Sequence, residues 1–165
     1  MNRIDTETGY IYLGDVVITP DKKIDDYKEY EKAGLIKIIK DDKNYQIELN
    51  NLISVNEFNS SVIINFNKNK KITNVVFTPS VNFAYREIAC IRILSGMINR
   101  QLPEDNKYYS FYEEYSWGNI ILESYYCIDP HWGIDEGGDI IIDYIKEYEV
   151  IYGKAKKLKR KKWVD

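Results

Sequence analysis

The only histidine of the chain lies close to a cysteine and an aspartate, in the segment Cys127-Ile128-Asp129-Pro130-His131-Trp132-Gly133. A thiol, an imidazole and a carboxylate can act as a nucleophile, its base and the group that orients the base. Catalytic triads, however, bring residues together from separate elements of a fold, and no oxyanion donor can be assigned here. The pattern is more typical of a hairpin loop, in which Asp129-Pro130 starts a turn and Trp132 covers it. We therefore predict no catalytic residues and a protein that is not an enzyme.

The same loop is acidic, which raises the question of a metal site. Its four carboxylates are Asp129, Asp135, Glu136 and Asp139. Calcium loops alternate oxygen ligands at short odd spacings around a central glycine, and this loop lacks that alternation. The chain also contains no phosphate-binding glycine loop, no His-Glu-x-x-His and no nucleophile elbow. We predict a solvated acidic turn, with neither a metal nor another cofactor.

The charges of the 165 residues are unevenly distributed. The chain has 23 basic and 26 acidic residues, but seven of the basic ones lie between Lys154 and Lys162. Residues 1–153 therefore carry 16 basic and 25 acidic residues, a formal charge of −9. The basic tail, 154–165, could bind nucleic acid by releasing counterions from phosphates, but the acidic body would repel the same polymer. A solvated terminus is the simpler interpretation, and nucleic acid is not the partner we predict.

The cysteines and the hydropathy indicate the compartment. Cys90 and Cys127 form neither a disulfide framework nor a Cys-x-x-Cys pair. No segment approaches the roughly 20 apolar residues of a membrane span, and the N-terminus lacks the apolar core of a signal peptide. We expect a cytoplasmic protein without a membrane partner.

Hydrophobic periodicity predicts two helices and two series of strands. The elements are a strand over 10–18, a helix over 21–32 stopped by Gly34, strands over 35–40, 45–49, 52–58, 61–67 and 71–78, a helix over 81–100, and strands over 107–115, 117–128 and 139–148. In the last two strands, Ile120 and Leu122 share one strand face, and so do Ile140 and Ile142. The fold class that follows is α+β, with two helices packed on antiparallel β-meanders.

The order of these elements bears on domain organisation. A helix followed by a meander occurs twice, so a loose duplication of a helix-plus-strands unit is one interpretation, although no residue-level repeat supports it. We predict a single domain over 1–153, with halves of about 1–79 and 80–153, followed by the basic tail.

Nine aromatic residues crowd into 25 positions. They are Tyr108, Tyr109, Phe111, Tyr112, Tyr115, Trp117, Tyr125, Tyr126 and Trp132. Because alternate residues of a strand point to opposite faces, these side chains cannot all enter one core. Either some are exposed anchors of a protein interface, or the sheet is covered on both faces within the domain.

Several short motifs resemble those of the small bacterial immunity proteins that are encoded beside polymorphic or contact-dependent toxins. In the C-terminal half these are Tyr115-Ser116-Trp117-Gly118-Asn119-Ile120, Tyr125-Tyr126, Asp129-Pro130, Gly137-Gly138 and Ile140-Ile141-Ile142. Near the N-terminus they are Leu13-Gly14-Asp15 and Ile18-Thr19-Pro20, followed by the short helix. The likeness covers most of the chain in outline. The loop from Asp129 to Glu136 is longer than the short turn usual at that place.

The resemblance implies a function without catalysis. Such a protein binds its cognate toxin and blocks the active site or substrate groove, and the toxin domains of these systems are often nucleases with basic grooves. An acidic body suits such a partner, because opposite charge steers association. The predicted contact surface is Glu113, Glu114, Asp129, His131, Trp132, Asp135, Glu136 and Asp139. The alternative is a non-catalytic scaffold protein with another partner.

Overall fold

A computed structural model describes the backbone of residues 1–104, 111–129, 133–146, 148–151 and 154–157. It describes their side chains except at 83–84, 123–137, 148–151 and 154–157. Within these ranges no helix is long and apolar enough to cross a membrane.

The N-terminal part is a small antiparallel sheet followed by a helical turn. Its strands are β1 (Arg3–Ile4), β2 (Ile11–Leu13) and β3 (Val16–Ile18). The strand predicted over 10–18 is therefore a hairpin, which turns at Gly14 with a φ of +60°. A 3-10 turn, Ile24–Tyr27, then leads into α1, Lys28–Lys32.

The main sheet contains eight antiparallel strands drawn from both halves of the chain. They are β4 (Ile36–Lys40), β5 (Tyr45–Leu49), β6 (Ile53–Val55), β7 (Phe58–Phe66), β8 (Ile72–Pro79), β9 (Phe111–Tyr115), β10 (Gly118–Asp129) and β11 (Gly133–Asp143). The strand order is β4-β5-β7-β8-β11-β10-β9, and β6 pairs with β7.

The α+β prediction is wrong, because the fold is dominated by β-structure. The first helix, predicted over 21–32, is short: α1 has only five residues. Ile24 and Tyr27, whose spacing of three also fits an α-helix, lie in a 3-10 turn, which has three residues per turn. Two helix-plus-meander units do not form either. The pairing of β8 with β11 joins both strand series into one sheet, in which Phe77 lies opposite Ile140.

The second helix, α2, spans Phe83–Ile98 and ends at Asn99, which adopts the left-handed conformation with a φ of +51°. Its buried residues include Cys90, Leu94 and Met97. They share one core with Ile120 and Ile142 of the main sheet and with the N-terminal sheet. We call this side of the main sheet the inner face, and the opposite side the outer face. The predicted face partners Ile120 and Leu122, and Ile140 and Ile142, are confirmed: all four are fully buried on the inner face.

Two further features lie at the C-terminal end of the sheet. Strands β10 and β11 pair from Asn119 opposite Asp143 as far as Asp129 opposite Gly133. Residues 123–129 of β10 extend beyond the positions where β10 pairs with β9, and residues 133–139 of β11 extend beyond those where β11 pairs with β8. We call this two-stranded part the ribbon. A C-terminal hairpin follows, formed by β12 (Tyr148–Ile151) and β13 (Lys154–Lys157), and β13 contacts β10. Four residues of the predicted basic tail thus belong to a strand.

Candidate contact surface

The strands at one end of the main sheet concentrate negative charge. Strands β8, β9, β10 and β11 contain eight carboxylates and no lysine, arginine or histidine. The carboxylates are Glu113, Glu114, Glu123, Asp129, Asp135, Glu136, Asp139 and Asp143. At the other end, β4 and β5 contain both signs. A block of one sign attracts a basic partner over a distance set by ionic strength.

The hairpin that connects β10 to β11 is tighter than the sequence suggested. The loop predicted from Asp129 onward is mostly strand, because β10 ends at Asp129 and β11 begins at Gly133. Cys127 lies opposite Asp135, and Tyr126 lies opposite Glu136. The side chains of Asp129, Asp135 and Glu136, and both His131 and Trp132 entirely, lie outside the described residues. The contact role of these five residues stays a prediction, as does the expectation that Cys127 and His131 do not form a catalytic pair.

Glu113 and Glu114 are adjacent in sequence but lie on opposite faces of the edge strand β9. Glu113 is in register with Ile120 of the inner face, and Glu114 is in register with Asn119 of the outer face. The structure therefore does not bring these two predicted contact residues together.

Glu113 forms a tight ion pair at the rim of the core. The guanidinium of Arg100 donates to both its carboxylate oxygens, at 3.1 and 2.6 Å, and the Tyr115 hydroxyl donates to Oε1 at 2.8 Å. The hydrogen bonds from Arg100 lower the pKa of Glu113, and Tyr115 acts in the same direction. Burial, with the hydrogen bond to Glu113, raises the pKa of Tyr115 to about 12. These bonds fix Glu113 within the chain, so we assign it to stability.

We expect Glu113→Gln to destabilise the protein by about 1 kcal/mol at neutral pH, because a bidentate pair is lost but solvent screens it. The side chains of Arg100 and Glu113 are 47% and 36% exposed. Since folding lowers the pKa of Glu113, the stabilisation is present above the unfolded value near 4.5 and is lost as pH falls through the folded value. Urea unfolding at neutral pH and at about pH 3 should therefore show a difference between variant and wild type that shrinks with acid.

Glu114→Gln is the matched control for this prediction. Glu114 is exposed on the other face and accepts a 2.8 Å hydrogen bond from Tyr112. The assigned role of the Arg100–Glu113 pair would be contradicted if Glu114→Gln destabilised the protein as much as Glu113→Gln. It would also be contradicted if the loss of stability in both variants did not depend on pH.

The outer face carries a row of polar residues that runs across six strands. In register order they are Gln46, Asn65, Asn74, Asp143, Asn119 and Glu114. We call them the polar row. The Gln46 amide donates to Asn65 at 3.0 Å, and the Asn65 amide donates to Asn74 at 2.7 Å. Sequence reasoning missed this row, although a polar residue between apolar neighbours in several strands was a usable signal.

The polar row is buried at its centre. Asp143 and Asn119 are 0% exposed, and Asn74 is 4% exposed. Asp143 accepts the Ile145 amide at 3.2 Å. Both amide atoms of Asn119 are buried without a hydrogen-bond partner among the described residues. Because an unsatisfied buried amide is costly, Asn119 lowers the stability of this part of the sheet.

Asp139 and Tyr112 complete the described part of the outer face near the ribbon. Asp139 is half-buried and accepts a 2.8 Å hydrogen bond from the Thr78 hydroxyl. Tyr112 is 43% exposed beside Glu114. Of the predicted contact residues with described side chains, Glu114 and Asp139 therefore share this face.

Some of the clustered aromatic residues have an internal role. Trp117 stacks on Tyr115 with ring centroids 5.0 Å apart, and its indole nitrogen donates to the Thr6 carbonyl at 2.9 Å. The Tyr144 hydroxyl donates to the Gly9 carbonyl at 2.7 Å. These side chains hold the loop between β1 and β2 against the main sheet, whereas Tyr112 is exposed. Phe111 is buried in the core. The other five aromatic side chains, those of Tyr108, Tyr109, Tyr125, Tyr126 and Trp132, lie outside the described ones.

No known protein family matches this chain. No curated protein and no solved structure is significantly similar to it either. Within the described residues no group of three or more His, Cys, Asp or Glu side chains could hold a metal ion. The functional argument therefore depends on the charge and geometry of the surface itself.

Proposed function

We propose that this chain is an immunity protein, which binds a cognate bacterial toxin and blocks its active site or substrate groove. The observation that carries the proposal is the block of eight carboxylates without a basic residue in β8–β11. A toxin domain that acts on nucleic acid needs a basic groove, and a rigid acidic surface competes for that groove.

The ribbon places much of this negative charge on a two-stranded extension of the sheet. It carries five of the eight carboxylates on two strands that continue past their neighbours in the sheet. A two-stranded extension of a sheet can enter a concave groove, whereas the broad face of a sheet cannot. The exposed ring of Tyr112 beside Glu114 supplies an aromatic contact of the kind common in protein interfaces.

Growth rescue tests the proposal. The reading frame adjacent to the gene for this chain is expressed in a sensitive bacterium from one plasmid, and the chain is expressed from a second plasmid. We expect the reading frame alone to stop growth and the chain to restore it, with an empty second plasmid as control. A toxic product that the chain binds without restoring growth would indicate the alternative, an interaction protein that does not inhibit. Growth arrest without binding or rescue would contradict the proposal.

A further inference from the structure

Burial on the outer face is confined to one end of the sheet. Ile121 and Ile141, which are in register on this face, are 0% and 5% exposed. Val76 and Ile63 continue the same row through β8 and β7 but are only half-buried. Some part of the chain therefore covers the outer face over β10 and β11.

The contacts of β10 indicate which part this is. Among the described elements, β10 makes its main contacts with its sheet neighbours β9 and β11 and with α2 and β13. The helix α2 belongs to the core on the inner face. This leaves β13, Lys154–Lys157, as the described element outside the main sheet that contacts β10 and does not belong to the inner-face core.

Charge complementarity favours the same pairing. Three of the four residues of β13 are lysines, and four further basic residues follow between Lys159 and Lys162. The lysine-rich strand β13 thus contacts a strand of the most acidic block of the chain.

We propose that the outer face of β9–β11 is a binding surface for a lysine-rich extended segment, and that β13 fills this surface in the isolated chain. The partner would present a similar segment and displace β13. The occupied surface lowers the apparent affinity for that partner, since only the open fraction of molecules can bind. The nature of the partner, a basic segment of a toxin, rests on the proposed function; the surface itself does not.

A peptide competition experiment tests the surface without any toxin. The probe is a fluorescein-labelled peptide with the sequence of residues 153–162, and its binding to the full chain is followed by anisotropy at low and high salt. The full-length variant K154E/K156E/K157E should bind the peptide about tenfold more tightly than wild type, because its own β13 no longer competes. This binding should weaken with salt.

The control variant K32E/K43E/K68E has the same net charge, but its substitutions lie outside β13, in exposed positions of α1 and two turns. We expect it to bind the peptide like wild type. Adding Glu114→Gln to the β13 variant should weaken peptide binding, since this removes an exposed carboxylate from the surface. Equal peptide binding by the β13 variant and the control, or an absence of binding by both, would overturn the proposal.

Amide hydrogen exchange provides a second measurement and checks the fold. In the β13 variant, we expect faster exchange at 154–157 with unchanged protection in α2. Exchange at 154–157 that is as slow in the variant as in wild type would count against the proposal. Rescue of growth without peptide binding would support the proposed immunity function and contradict the proposed binding surface. Peptide binding without rescue of growth would support the binding surface and contradict the immunity function.

Discussion

Replacing Trp117 by alanine should lower the free energy of unfolding by about 3 kcal/mol. The indole stacks on Tyr115, lies 5.7 Å from the ring of Tyr144 and donates to the Thr6 carbonyl. Its loss removes packing from all of these contacts and leaves the loop between β1 and β2 without an anchor. Urea unfolding followed by circular dichroism measures the change, and Tyr112→Ala is the control: its ring is 43% exposed, so we expect a loss of less than about 1 kcal/mol.

The substitution Gly9→Ala tests the packing of Trp117 against the loop between β1 and β2. Gly9 has a φ of +75°, and a Cβ there would stand 2.5 Å from Cδ2 of Trp117. Backbone strain and the clash should together destabilise the protein by about 1–3 kcal/mol.

If Trp117→Ala lowered the free energy of unfolding as little as Tyr112→Ala, the stacked aromatic residues would not hold the loop between β1 and β2. Those residues would then again be candidates for a partner interface.

Local signals in the sequence were enough to predict much of the first meander. Residues 45–49 form β5 as predicted, because apolar alternation there follows a clear turn. In that turn Asp41 Oδ1 accepts the amides of Lys43 and Asn44, at 2.9 and 2.6 Å, which is the local bonding that aspartate favours before a hairpin. The prediction of α2 over 81–100 was also close to Phe83–Ile98.

Long-range pairing left no comparable signal. The contact of β8 with β11 joins residues more than 60 positions apart, such as Phe77 and Ile140, and nothing near either residue encodes the other. Periodicity therefore indicated two separate meanders where the chain builds one sheet. A second limit is local: a spacing of three fits a 3-10 turn as well as an α-helix over one or two turns, so a helix was predicted over 21–32 where α1 spans only Lys28–Lys32.

The candidate site was predicted in composition but not in arrangement. Acidic residues do cluster in the C-terminal half, yet Glu113 and Glu114 lie on opposite faces, which strand alternation alone could have shown. Asn119 and Asp143 were missed because a polar residue in a strand is normally assigned to solvent. Their burial depends on a cover over the outer face, which we have proposed to be β13, part of a segment whose charge suggested a free tail.

Reversing the charges of Asp135 and Glu136 should slow association with the toxin about 10- to 100-fold at low salt, if the ribbon enters a basic groove as proposed. The two residues lie in the ribbon opposite Cys127 and Tyr126. The variant D135K/E136K changes the net charge by four units where the negative potential is concentrated. Because charge acts mainly on the encounter, the dissociation rate should change much less than the association rate.

Stopped-flow or surface-plasmon measurements of both rate constants, repeated as salt is raised, check this prediction. The matched control is D15K/D42K, which makes the same change of net charge at exposed positions in the β2–β3 and β4–β5 turns. If steering depends on the block in β8–β11, the control should keep most of the wild-type association rate and the ribbon variant should not. Equal slowing by both would mean that total charge alone guides the encounter and that the ribbon is not the contact surface. An unchanged rate and salt dependence in D135K/E136K would place the contact on another face.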